Sequence, residues 1–171
     1  MKKILSMLLV VVMLATCIMA LSACAPKPAL KDLEEVAETL EDADYYASYS
    51  DDEDYLGIGM VERLYAYDKD DDSDNTLVII VYESAKLAKI AYKEAKLNLE
   101  MEEKELKLEI KKIETILKEY SGELKSAEID AYEDELKDLE EELELYKEYV
   151  VGISGKTVWY GTKEAIKDSK G

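Results

Sequence analysis

The stretch SAKLAKIAYKEAKLNLEMEEKELKLEIKKIETILKEY, residues 84–120, decides the fold. No glycine or proline interrupts it, and it is built mostly from Ala, Leu, Glu and Lys, which lose little side-chain freedom in a helix. Read as one helix, it is about 55 Å long at 1.5 Å per residue. Its apolar residues fall on two faces. Tyr92, Ala95, Leu99, Leu106, Ile110, Ile113, Leu117 and Tyr120 make a stripe along most of its length. Leu87, Ile90, Leu97, Met101 and Leu108 make a second stripe, confined to its first two thirds. A helix with two apolar faces is expected to have two partners.

The chain supplies the first partner at once. Ser121-Gly122 stops the helix, Ser126 reads as the cap of another, and Glu128 and Asp130 place negative charge in its first turn. Ile129, Tyr132, Leu136, Leu139, Leu143, Tyr146 and Val150 then recur at alternating spacings of three and four, the seam of a coiled coil. A connection this short makes the two helices antiparallel, giving a hairpin over residues 84–148. The long stripe is expected to face the second helix, leaving the shorter one to pack on a sheet.

The sheet is written on either side of that hairpin. Residues 29–43 read as a short amphipathic helix, with Leu30, Leu33, Val36, Ala37 and Leu40 on one face. Residues 45–50 and 61–67 are strand-like, with Gly57 and Gly59 marking a bend or bulge before the second. LVIIVY, residues 77–82, is apolar on both alternating faces and reads as a central strand covered on both sides. After the hairpin, residues 149–154 form a strand, Gly155-Lys156 turns it, and residues 157–161 return. Thr162 caps a final helix over 163–169. The expected class is α+β: a mainly antiparallel sheet of four or five strands, with the helical hairpin inserted before the last two.

The N-terminus carries an address. Lys2 and Lys3 precede an uncharged apolar run over residues 4–20 that ends in small residues before Cys24, the order of a secretory signal. Leu21-Ser22-Ala23-Cys24 resembles the lipobox of bacterial lipoproteins. The resemblance covers only these first 24 residues and implies that Cys24 is acylated and the chain is cut before it. That leaves 1–23 as signal, 24–28 as a short tether and 29–171 as one domain, held at a cell membrane and facing outside the cytoplasm. The alternative is an uncleaved anchor, since residues 4–25 are long enough to span a bilayer. Cys17 leaves with the signal and no other thiol remains to form a disulfide.

Charge and composition narrow the function. The net charge is −18, or −20 without Lys2 and Lys3, so nucleic acids and anionic surfaces are poor partners. VVGISGKT, residues 150–157, ends like a phosphate-binding loop. Its first position is Val150 instead of glycine and strand-forming residues follow, so a turn between strands is expected and no nucleotide. Asp68, Asp70 and Asp72 have the alternate spacing that opens a calcium loop, but Ser73 and Ile79 stand where that pattern needs Gly and Glu. They are weak metal candidates. With no histidine and a single arginine, Arg63, triads and histidine bases are ruled out, and no carboxylate pair sits among apolar residues that would raise its pKa. No catalytic residue, cofactor or enzymatic activity is expected.

Thirteen tyrosines with no phenylalanine admit two readings: rings packed under helices, or an aromatic sheet face that stacks on glycans or docks a peptide. The hairpin likewise is either a prop for the core or an arm for a partner. Together these features suggest a lipid-anchored, non-enzymatic interaction module for a protein or cell-envelope partner. The alternative is a lipoprotein that binds a cation or small ligand through its acidic loops, SDDED at 50–54 and DKDDDSDN at 68–75.

Overall fold

A computed structural model describes residues 26–30, 32–52, 56–69, 75–120, 122 and 124–171. The expected signal and Cys24 lie outside these residues, as do Asp70 and Asp72. Among the described residues, no helix is long and apolar enough to cross a membrane.

Five strands form one antiparallel sheet: β1 (Tyr45–Ser50), β2 (Met60–Asp68), β3 (Thr76–Tyr82), β4 (Tyr149–Ser154) and β5 (Thr157–Thr162). Their spatial order is β1-β2-β3-β5-β4. The helices are α1 (Leu33–Asp42), α2 (Ala85–Tyr120), α3 (Ser126–Tyr146) and α4 (Lys163–Asp168). β3 is therefore central, as its unbroken apolar run predicts. The hairpin of α2 and α3 is inserted between β3 and β4, and β5 re-enters the sheet beside β3.

The first helix is shorter than its apolar pattern suggests. Asp32, extended at φ −135°, accepts from the backbone N–H groups of Glu34 and Glu35 and starts α1 at Leu33. Residues 26–30 do not continue the helix. At the other helical start, Lys125 is the cap residue instead of Ser126, and its N–H donates to the Glu128 carboxylate at 2.8 Å. Thr162 caps α4 as expected, accepting from Ala165 N–H. Before β2, Gly59 takes φ +72° and the register shifts between Met60 and Glu62, the bulge that its glycines foretell.

Side-chain alternation gives the sheet two different faces. On one, Tyr45, Leu64, Ala66, Leu77, Ile79 and Trp159 meet α1 through Leu33, Val36, Ala37 and Leu40, and meet α4 through Ala165 and Ile166. Leu40, Leu64, Leu77, Ile79 and Ile166 are fully buried, each contributing about 1.5–3 kcal/mol of transfer free energy. On the other face, Tyr82, Val158, Ile80 and Ile153 meet the start of α2 through Leu87, Ala88, Ala91 and Tyr92. There α2 crosses β3, β5 and β4.

The packing of α2 corrects the expected division of its two stripes. Ala88, Leu106 and Ile113 are its buried residues, and all belong to one side of the helix. That side meets the sheet first and α3 afterwards. The second stripe meets neither: Ile90, Leu97, Met101 and Leu108 are exposed, and only Leu87 of that set packs inward, against Gly59. The sheet and α3 lie in line beneath the same helix face, so one stripe serves both.

The segment expected to be a short tether packs against the domain. Trp159 donates its indole N–H to the Pro26 carbonyl at 3.1 Å. Ala29 N–H donates to Ser169 Oγ at 3.4 Å and Lys27 Nζ to Ser154 Oγ at 3.1 Å, while Pro28 is buried.

Candidate functional site

The uncovered half of the sheet is a consequence of where α2 lies. α2 packs over β3, β5 and β4, and the corresponding face of β1 and β2 carries Tyr46, Ser48 and Ser50 beside Arg63, Tyr65 and Tyr67. Tyr46 and Tyr67 are direct cross-strand partners, with ring centroids 5.2 Å apart and planes tilted by 35°. Tyr65 and Tyr67 share the face two residues apart, centroids 5.8 Å and 44°. The three rings are 43–53 % exposed. They support one another as cross-strand aromatic pairs do, yet each stays about half exposed. Lys69 Nζ stands 5.7 Å from the centre of the Tyr46 ring, within the range of a cation–π contact.

The tyrosines thus divide between both sequence readings. Tyr45 is buried and donates its hydroxyl to Asp168 at 3.2 Å. Burial, then the charge of that carboxylate, raises its pKa above the ordinary phenol value. Tyr160 stacks on Tyr149 at 5.0 Å and 26°, and burial raises its pKa as well. Tyr146 lies 6.1 Å from Tyr149, and burial, then the charge of Glu102, raises its pKa. Trp159 is buried on the opposite face. Among the described strand residues, the exposed tyrosines are Tyr46, Tyr65 and Tyr67; Tyr120, at the end of α2, is exposed as well. Alternation along each strand groups Tyr65 with Tyr67 and separates Tyr46 from Tyr45; the pairing of β1 with β2 joins the three, and which half of the face stays open depends on the path of α2.

The other candidates from sequence are not brought together. Val150 and Val151 lie in β4 and Gly155-Lys156 forms the turn to β5, with Gly155 at φ +62°. Thr157 begins β5 and not a helix, so the turn is not followed by the helix N-terminus of a phosphate loop. Asp68 ends β2, and its N–H donates to Asn75 O at 3.0 Å across the base of the acidic loop. The positions of Asp70 and Asp72 lie outside the described residues. Among the described residues, no three His, Cys, Asp or Glu side chains gather at metal-binding distances. Comparison with family models, with characterised proteins and with solved structures finds no match to this chain.

Proposed function

We propose that this chain is a lipid-anchored, extracytoplasmic interaction protein that presents the Tyr46–Tyr67–Tyr65 face to a protein or cell-envelope partner, without catalysing a reaction. The observation that carries this reading is the tyrosine cluster itself. Three large amphipathic rings stay half exposed on a sheet face, although the same sheet buries Tyr45, Tyr82 and Trp159. Aromatic side chains with one apolar surface and one polar edge are the residues that interfaces favour. The lipobox-like Leu21-Ser22-Ala23-Cys24 supports the address, because acyl chains on Cys24 would hold the domain at a membrane. The docking of Pro26 against Trp159 leaves only Ala25 between the expected lipid and the folded domain.

Capture from detergent-solubilised envelopes tests the reading. Wild type retains a defined partner, and the variant Tyr46→Ser/Tyr65→Ser/Tyr67→Ser loses it while keeping its melting temperature within a few degrees. Equal recovery by both forms, or recovery of nothing above background, defeats it.

A further inference from the structure

Among the described residues, the outer side of α2 carries an apolar stripe left without cover. Ile90, Leu97, Met101 and Leu108 are 47–54 % exposed. At 3.6 residues per turn they lie roughly opposite Ala88, Leu106 and Ile113, the buried residues of the same helix. Their side is therefore turned away from both the sheet and α3.

Two charged residues lie in the same stripe and identify what covers it. Ile90, Glu94, Leu97, Met101, Lys104 and Leu108 follow one another at alternating spacings of four and three, the seam of a coiled coil. From either end the seam reads apolar, charged, apolar, apolar, charged, apolar. The charge nearer the N-terminus is acidic and the other is basic. Such a pattern complements itself when reversed. In an antiparallel pair of α2 helices centred between Leu97 and Met101, Ile90 meets the partner's Leu108, Glu94 meets the partner's Lys104, and Leu97 meets the partner's Met101. The two-fold axis repeats each contact, as a self-complementary interface requires.

Within the chain Glu94 lies near Tyr82, whose pKa is raised by burial and then by that charge. Glu94 and Lys104 are about 15 Å apart along the axis, and neither joins an ion pair among the described residues. A parallel pair would set Glu94 against Glu94 and Lys104 against Lys104, which repel. We infer that a second copy of this chain covers the outer face of α2, in an antiparallel pair whose register is set by two Glu94–Lys104 contacts. Charged residues inside an otherwise apolar seam add little stability but select one partner and one alignment. This surface is separate from the tyrosine face, so either proposal can fail while the other stands.

The test is the oligomeric state of the full chain in mild detergent, by sedimentation velocity with the detergent mass subtracted. Wild type sediments with twice the protein mass. Glu94→Lys sets Lys against Lys twice, Lys104→Glu sets Glu against Glu twice, and each weakens association by about tenfold or more. The two variants mixed together, and the double variant Glu94→Lys/Lys104→Glu, restore the pairing and the dimer mass. A wild type that stays monomeric overturns the inference. Single variants that dimerise as well as wild type overturn it too, because the pair then forms elsewhere or in the parallel sense.

Discussion

Replacing Gly152 with alanine tests how the β4 edge of the sheet is closed. Gly152 is the cross-strand partner of Trp159, and the indole lies across the space where a side chain would stand. A Cβ at Gly152 would come under 3.0 Å from Cζ2, Cε2 and Nε1 of that ring, closer than real Cβ contacts allow. One response is a shift of β4, and overpacking of this kind costs about 1–3 kcal/mol. The other is a swing of the indole, which gives up its bond to Pro26 O, about 0.5–1.5 kcal/mol, together with part of its burial. Complete removal of a buried Trp side chain costs about 3–5 kcal/mol and sets the ceiling. The expected loss is about 2–4 kcal/mol, a fall of about 5–15 °C in melting temperature for a domain of this size. Circular dichroism gives the melt. Trp159 is the only tryptophan, so its emission reports the ring directly and shifts to the red as the indole leaves its site. A Gly152→Ala variant that melts within about 1 °C of wild type with unshifted emission refutes this account of the edge.

Gly161→Ala is expected to be worse than Gly152→Ala, because its Cβ would come under 3.0 Å from the Thr76 carbonyl and Leu77 Cα of the central strand, backbone that cannot rotate aside. Its melt, or its failure to give soluble folded protein, checks this. Asp32→Ala removes the acceptor for two amides at the start of α1 and costs about 1 kcal/mol in urea unfolding. Tyr45 and Tyr160 have pKa values raised by burial in the folded state, so their contribution is complete below the unfolded phenol value near 10. Above it the unfolded chain loses protons that the folded chain keeps, and stability falls as pH rises. Absorbance titration at alkaline pH checks the sign: these rings ionise late, together with unfolding.

Most of the fold was legible because local and global signals agree. The run free of glycine and proline at 84–120, the heptads after Ser126 and the apolar strand at 77–82 each specify one element, and the order of elements leaves an inserted hairpin as the simple solution. The start of α1 was misplaced because Leu30 continues the apolar spacing, whereas the Asp32 carboxylate captures the first free amides and fixes the boundary. The stripe of Ile90, Leu97, Met101 and Leu108 was misassigned for a different reason. Periodicity shows that a face is apolar but not what covers it, and here the sheet and α3 share the opposite face. The tyrosine site was half legible. Alternation places Tyr65 and Tyr67 on one side of β2, but their exposure depends on α2 crossing the other end of the sheet. Trp159 read only as a strand residue, and its role in holding Pro26 has no sequence signature beyond the glycine opposite it.

What is proposed about where this domain works rests on Cys24. Growth with an alkyne fatty acid, followed by coupling to a dye, reads acylation directly on the full chain and on Cys24→Ala. The expected result is labelled wild type of shortened mobility and an unlabelled, unprocessed variant. Labelling of neither form, or equal labelling and identical mobility of both, contradicts the anchor and with it the extracytoplasmic address.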